Sequence, residues 1–445
     1  MTKMDARPNP NNLEAFWMPF TSNRNFKAKP RMVTGASGMY YTKPGGEKVL
    51  DAVAGMWCCN AGHNRPRIVE AIKKQAEQLD YAPAFSFGYP PAFEYASRLA
   101  TLSPGKLNHV FFSNSGSEAV DTALKIALGY WRMKGEATRV RLIGRERAYH
   151  GVGFGGISVG GIGFNRKMYN ANLLPNVDHL PHTYNYEHQK FSKGEPDWGM
   201  HLADELERLV YLHDASTIAA VIVEPMSGSG GVVVPPKGYL KRLRELTSKY
   251  GILLIFDEVI TGFGRLGHLW AAERYGIEPD MICFAKGMTS GTVPAGGTLV
   301  SAEIYNAFMQ GPEHVSELPH GYTYSAHPLA IAAANAALDV YLEEDLFGRA
   351  KGLEDFWADA IHSLKGAKHV IDIRNLGLTA AIEMESRPGL IGQRGLEVLD
   401  RCFNEHDLML RVTGDTIALT PPLIIAKQEI EMIVDKIGKV LAALN

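Results

Sequence analysis

The sequence predicts an α/β protein with a mainly parallel central sheet flanked by helices and a second domain toward the C-terminus. Three observations carry that class. The runs 218–223, 252–256 and 281–285 are short, apolar and followed at once by a charged residue, as buried strands often are. Helix-period segments alternate with them through the middle of the chain. The 45 glycines among 445 residues supply the turns that such alternation needs.

Length allows two or three domains, and 46% hydrophobic residues suit a large soluble core. A formal net charge of -2 gives no basis for a nucleic-acid partner. No uninterrupted apolar run approaches the roughly 18 residues of a membrane span, so no membrane partner is expected. The opening MTKMDARPNPNNLEAF has no apolar signal core and reads as a loosely ordered arm. Four cysteines make no disulfide framework, and Cys58 and Cys59 are adjacent, without the CxxC spacing of a metal or redox pair. A reducing cytoplasm is the expected compartment, and no metal is expected.

After the arm, 38–41 and 48–52 flank a Pro-Gly-Gly turn and predict a hairpin. In the loop AGMWCCNAGHNRP, Trp57 either caps a core edge or offers a flat wall to a ligand. Residues 67–79 are helical, with Ile68, Ile72, Ala76 and Leu79 on one side. The aromatic, Pro-rich stretch 81–91 lines a surface or an interface. Helix 91–102, strand 108–112, a helix after SNSGSE and strand 140–144 follow. The seven glycines in 151–163 predict a tightly turning segment without helix. Residues 165–198 read as irregular, with His179, His182 and His188 on the surface at no metal-ligand spacing. Helix 202–211, strand 218–223, helix 236–250, strand 252–256, a short helix within 269–275 and strands 281–285 and 298–300 complete the middle. Beyond the apolar helix 329–342, the second domain holds helix 347–364, strands at 370–374 and 380–383, and helix 395–405. A strand pair, 408–412 and 416–419, and an amphipathic helix, 427–444, close it.

Buried parallel strands open their carboxyl ends onto a ligand crevice. That places Glu224, Asp257 and Lys286 near one site. A carboxylate and an amine on neighbouring strand ends match a cofactor with a basic nitrogen and an aldehyde, and pyridoxal phosphate has both; a strand-end salt bridge would use the same pair. The unit carrying Ser113, Ser115, Gly116 and Ser117 between strand and helix is a candidate phosphate cradle, since helix-start amides and hydroxyls attract anions. A helix capped by Ser115 or Ser117 reads alike, and the full GxGxxG and Walker patterns are missing. Tyr149, beyond the end of strand 140–144, can stack on a flat ring or bring a hydroxyl. Arg411 interrupts an apolar strand and must be paired or await an anion.

With LLIFDEVITGFGRLG at 253–267 and FAKGMTSG at 284–291, the chain resembles the class III aminotransferases, pyridoxal-phosphate enzymes of fold type I. SNSGSEAVDTALK, RAYHG and HGYTYSAHP reinforce the likeness, which runs from WMPFTSNRNF at 17–26 to the final helix. LMLRVTGDTIALTPPL at 408–423 and the Trp of AGMWCCNAGH point to the omega-amino acid–pyruvate, or β-alanine–pyruvate, group.

The resemblance implies an arm and part of a small domain at 1–80, a large cofactor domain at 81–328, and a linking helix with the rest of a small α+β domain at 329–445. It implies a transaminase that moves an amino group from an omega-amino acid or related primary amine to pyruvate, in a ping-pong cycle of pyridoxal 5′-phosphate and its amine form. The products are L-alanine and an aldehyde or ketone. A decarboxylase, racemase or aminomutase of the same fold is the alternative. Lys286 would hold the cofactor covalently and shuttle the proton. Asp257 would pair with the ring nitrogen, supported by Glu224. Val259 would pack on the ring face opposite Tyr149. Gly116 and Ser117, with Ser115 in the same turn, would bind the phosphate, and Thr323 would reach it from a partner subunit. Trp57, Phe85 and Tyr149 would line the substrate pocket, and Arg411 would receive the pyruvate carboxylate or swing aside. The active unit would be a homodimer with shared sites, alone or doubled into a tetramer. Ser229 stands where ornithine and 4-aminobutyrate relatives carry a Glu that pairs with the arginine, which leaves Arg411 freer to move. Ala326 stands where many relatives have Gly.

Overall fold

A computed structural model describes residues 13–445; most of the arm expected at the chain start, residues 1–12, lies outside them. The described residues form three sheets, one of seven strands and two of four. Across the large sheet the order is His109–Ser113, Gly296–Val300, Met281–Ala285, Leu253–Asp257, Ile218–Val223, Arg141–Arg145 and Val177–Leu180. From Met281–Ala285 to Val177–Leu180 every pairing is parallel. Gly296–Val300 alone runs against its neighbours.

The central strands are apolar throughout because both their faces are covered. Leu254 and Phe256 enter one cluster with Tyr239, Leu243 and Trp270. Leu253 and Ile255 enter another with Ala123, Ile126 and Ala127 of helix Gly116–Met133. Neighbouring residues alternate between clusters, as the two-residue period of a strand requires. Each such fully buried Leu, Ile or Phe contributes about 1.5–3 kcal/mol of transfer free energy. Gly144 shows how close the cover comes: a Cβ there would stand 1.8 Å from the Val159 carbonyl oxygen.

Two expectations for the middle of the chain fail. The glycine-rich stretch contains a helix, Phe154–Val159. Its glycines serve close packing: a Cβ at Gly153 or Gly155 would stand 2.1 or 2.5 Å from an Asp121 carboxylate oxygen. Asp121 Oδ1 also accepts the Gly156 N–H at 2.8 Å, which fixes the first turn from outside. The stretch 165–198 is not wholly irregular either. Val177–Leu180 adds a parallel edge strand beside Arg141–Arg145, and Tyr186–Gln189 is a short helix. VDHL carries no apolar run because an edge strand is only partly covered. Its His179 is half-buried rather than on the surface, with Nε2 2.9 Å from the Gly160 carbonyl oxygen.

The stretch 408–412 also divides. Leu408–Met409 pairs in parallel with Lys48–Asp51 of the N-terminal hairpin, while Arg411–Thr413 pairs with Thr416–Leu419. One four-stranded sheet therefore takes strands from both ends of the chain. Among the described residues no helix is long and apolar enough to cross a membrane.

Candidate active site

Three strand ends meet through one hydrogen-bond network. Glu224 follows Ile218–Val223, and its Oε1 accepts the Tyr149 N–H at 3.0 Å and the Ser227 hydroxyl at 2.8 Å. Its Oε2 accepts the Gly228 N–H at 3.2 Å. Asp257 ends Leu253–Asp257; its Oδ1 accepts the Val259 N–H at 3.1 Å. The other oxygen, Oδ2, lies 2.8 Å from His150 Nδ1. An ionised carboxylate only accepts, so Nδ1 carries the hydrogen. Burial raises the Glu224 pKa, opposed by His150. Burial also raises the Tyr149 phenol, opposed by the Arg411 guanidinium.

Lys286 is the first residue past Met281–Ala285 and opens the turn Lys286–Thr289. Its φ of 46° is left-handed, a conformation that costs a non-glycine residue on the order of 1–3 kcal/mol and is tolerated where surroundings enforce it. Here the Tyr341 hydroxyl ties the turn by donating to the Gly287 carbonyl at 2.6 Å. The lysine amine has no hydrogen-bond or ion-pair partner among the described residues. Burial pushes its pKa below the ordinary lysine value; Asp257, Cys58 and Glu224 act the other way, and Arg411 adds to the lowering.

The cradle forms at the start of Gly116–Met133. Ser115 is the cap, its Oγ accepting the Glu118 N–H at 3.2 Å. That leaves the Gly116 and Ser117 amides without partners among the described residues. Ser117 Oγ accepts the Val152 N–H at 3.1 Å. A Cβ at Gly116 would stand 2.8 and 2.9 Å from the two Val259 methyls, so Val259 joins the Asp257 loop to the cradle.

Arg411 lies half-buried beside this group. It has no carboxylate partner among the described residues, and Nη1 donates to Met56 Sδ at 3.2 Å. Burial lowers its pKa, and Tyr149 opposes the shift. Trp57 is 2% exposed and packs in a cluster with Met226 and Ile260, at the edge of the Glu224 loop. Phe85 packs against the loop that carries Thr323. A Cβ at Gly321 would stand 2.8 Å from the Phe85 ring, and the Tyr81 hydroxyl donates to the Thr323 carbonyl at 3.0 Å. Among the described residues no hydrogen bond, ion pair or ring contact joins either to Lys286, Asp257 or Arg411. Ala326 keeps the left-handed backbone, at φ 53°, that a glycine adopts freely.

Sequence reasoning gave no role to His150 or Ser227. The only signal for His150 was its place beside Tyr149 past a strand end. Among the described residues, no group of three or more His, Cys, Asp or Glu side chains could hold a metal ion.

Fold and site together define an α/β enzyme that works at the carboxyl ends of its central strands. The family profile described as aminotransferase class-III matches residues 21–441. The omega-aminotransferase of Caulobacter vibrioides is 60% identical over 98% of this chain and 99% of that protein. The beta-alanine–pyruvate aminotransferase of Pseudomonas aeruginosa is 48% identical over 97% of this chain and 96% of its own. A crystal structure of an amine transaminase from an uncultivated Pseudomonas species, in its PLP-bound form, superposes with a TM-score of 0.88 at 36% identity, covering 97% of this chain and 99% of that one. The chain belongs to the class III aminotransferases, and its fold is that of the fold type I transaminases.

Proposed function

We propose that this aminotransferase moves the amino group of an omega-amino acid or related primary amine to pyruvate, giving L-alanine and an aldehyde or ketone. Its cofactor is pyridoxal 5′-phosphate, and the residues fit that group. Two amides without partners among the described residues, and a serine hydroxyl, at a helix start suit a phosphate. A buried carboxylate suits a protonated ring nitrogen. A lysine amine of lowered pKa suits an aldehyde. When bound, the cofactor supplies that aldehyde to take up the amino group and a positively charged ring that draws electrons from the reacting carbon.

The chain's residues then divide the work. Gly116 and Ser117 hold the phosphate, with Ser115 capping the helix behind them. Asp257 keeps the proton on the ring nitrogen, and Glu224 fixes the backbone at Tyr149. Val259 and Tyr149 would take the two faces of the cofactor's ring. Lys286 would hold the cofactor, and its Nζ would take and return the substrate proton; the lowered pKa leaves more of the amine neutral for that task. Trp57 and Tyr149 offer apolar surface to the amine's chain from one copy, and Phe85, which lies with Thr323, would offer it from the second.

The observation that carries the choice of substrates is Arg411, a half-buried cation with sulfur rather than carboxylate as its partner. It answers the carboxylate of a keto acid. With Ser229 opposite the role that a Glu fills in other relatives, it is free to turn away from a plain amine. The names of the relatives support the same pair of substrates. Thr323, supplied by a second copy, completes the phosphate site, so the active unit is a homodimer, alone or doubled into a tetramer. Phe85, Phe87 and Phe93, each more than half exposed, support a covered surface there. The division is an arm and part of a small domain at 1–80, a large domain at 81–328, and a linking helix with the rest of the small domain at 329–445, and four free thiols suit a reducing cytoplasm.

A panel of β-alanine, 4-aminobutyrate, taurine and arylalkyl amines against pyruvate tests the reading. L-alanine forming from omega-amines at rates well above those with α-amino donors is the expected result. Failure of every omega-amine, with another keto acid accepted in place of pyruvate, overturns it.

A further inference from the structure

Cys58 and Cys59 take no part in the chemistry above, yet they touch its supports. Their sulfurs are 3.8 Å apart, and neither is in a disulfide. Cys58 is partly exposed, with Cys59 buried behind it. The pair fills a gap between two glycines. A Cβ at Gly291 would stand 2.9 Å from Cys58 Sγ and 3.1 Å from Cys59 Sγ, and one at Gly55 would stand 3.6 and 3.0 Å from them. Gly291 belongs to the Lys286 turn, its N–H donating to the Lys286 carbonyl at 3.3 Å. On the other side, Trp57 directly precedes Cys58 in a left-handed conformation, and its ring lies 3.0 Å from where a Gly228 Cβ would be. The two sulfurs thus bridge the Lys286 turn and the Trp57 wall.

We propose that Cys58 and Cys59 form a redox-modification site, in which a hydroperoxide converts the dithiol to a vicinal disulfide and so reversibly disables the adjoining active site. Cys58 is the attacking sulfur. It is the less buried member, and hydrogen bonding from Cys59 chiefly, with the Met56 backbone, lowers its pKa. The Cys58 thiolate attacks the terminal oxygen of the hydroperoxide and the O–O bond breaks. An alcohol (water, from hydrogen peroxide) leaves with the proton that Cys58 gave up, and Cys58 becomes a sulfenic acid. The Cys59 sulfur then attacks Cys58 Sγ. The S–S bond forms, the S–O bond breaks, and hydroxide leaves with the Cys59 proton as water. Two thiols lose two electrons and the peroxide gains them.

The disulfide is reversible because it is strained. Adjacent Cα atoms lie about 3.8 Å apart, short of the roughly 4.4–6.8 Å that disulfides prefer. A dithiol reductant therefore reopens it. Closing it draws the sulfurs together by about 1.8 Å, since a disulfide spans about 2.05 Å. That motion pulls on Trp57 and withdraws packing from Gly291.

The test uses the cofactor-loaded enzyme. It is exposed to hydrogen peroxide, quenched with iodoacetamide, digested and mapped by mass. The expected peptide spanning 58–59 is lighter by two hydrogens and carries no alkyl group, and dithiothreitol restores two alkylated thiols. In the intact enzyme the cofactor absorbance shifts, activity falls on the order of a hundredfold, as displacement of site supports by an ångström or more can cause, and both return with the reductant. In Cys59→Ser, dimedone should capture a sulfenic acid on Cys58, with no disulfide. Full alkylation of both thiols after peroxide, linkage of Cys58 to another chain, or a vicinal disulfide that leaves absorbance and activity unchanged would each overturn the proposal. The mass map is independent of which amine or keto acid the enzyme uses, so its failure is distinct from failure of the substrate reading.

Discussion

His150 Nδ1 lies 2.8 Å from Asp257 Oδ2, with His150 1% and Asp257 5% exposed. The two residues come from different strand ends, and the contact ties the Tyr149 segment to the carboxylate proposed to pair with the ring nitrogen. His150 is a positioning residue: it acts through Asp257. Its other nitrogen, Nε2, is buried without a partner among the described residues, so its one hydrogen bond is spent on the carboxylate.

Replacing His150 by Ala should therefore leave one Asp257 oxygen unsatisfied in a buried site. The loss of such a partner costs about 1–3 kcal/mol, or roughly 5- to 150-fold in the amine half-reaction if felt at the transition state. Single-turnover absorbance with Cα-deuterated amine checks it. A slower step with a larger isotope effect is expected, because proton removal becomes limiting. A weaker amine affinity with an unchanged isotope effect would assign His150 to folding alone.

Asp257→Asn keeps the size of the side chain and removes its charge. Loss of a preorganised charge at the reacting centre costs on the order of 100- to 1,000-fold. Borohydride reduction followed by peptide mapping should still find the cofactor on Lys286, while transamination collapses. Near-normal turnover by D257N would contradict the assigned role.

The lowered Lys286 pKa has a direct consequence in the cofactor-free enzyme. Only the neutral amine reacts with an arylating reagent, and it prevails above the pKa. A lowered pKa therefore moves the rise in reactivity to a lower pH than the ordinary lysine value of 10.5. The same sign applies to stability. Between the folded and unfolded pKa the unfolded chain holds more protons, so this group's penalty is full below the lowered folded value and is relieved as pH rises from there to the unfolded value. Rates of fluorodinitrobenzene labelling at Lys286 against pH, read by mass, should show the early rise, and pyridoxal phosphate should block it. A midpoint at or above the ordinary value would refute the burial argument.

Gly116 and Val259 can be tested as a pair. Gly116→Ala places a methyl group 2.8 Å from a Val259 methyl, overpacking that costs about 1–3 kcal/mol. Cofactor affinity should fall about 5- to 150-fold, by the same free-energy scale. Val259→Ala added to Gly116→Ala vacates that space, so the double variant should bind the cofactor more tightly than G116A alone. Equal affinities for the two would show that the methyl contact is not what limits binding.

What the sequence made legible follows from burial. Ile218–Val223 and Met281–Ala285 stand out because both faces of those strands are covered, leaving no polar position to interrupt the run. Asp257 and Lys286 stand out as charges placed where such runs stop. Val177–Leu180 escapes notice because an edge strand tolerates Asp178 and His179. Phe154–Val159 was masked by the intrinsic cost of glycine in helices, which the Asp121 contact overrides and no local pattern reveals. His150 is silent for the same reason: its partner is 107 residues away in the chain. Arg411 was legible as a cation in an apolar strand, but its Met56 contact was not.

That contact sets the last prediction. A keto acid presents a carboxylate next to its reacting carbon, whereas an arylalkyl amine presents none. A guanidinium fixed in the pocket would favour the first and penalise the second, because a buried charge without a partner is costly. Arg411 is held by Met56 Sδ at 3.2 Å, a weak acceptor that a carboxylate readily displaces. The guanidinium can accordingly be drawn in by the keto acid and left aside by the amine. Arg411→Ala should cost the pyruvate half-reaction about 2–5 kcal/mol, the range for truncating one partner of a buried charge pair. The half-reaction with a simple arylalkyl amine should change far less, since no charge is lost to it. Each half-reaction is read from the cofactor absorbance in a single turnover, with cofactor loading and folding checked first. Equal losses in both would mean that Arg411 is a structural cation and that carboxylate recognition lies with other residues.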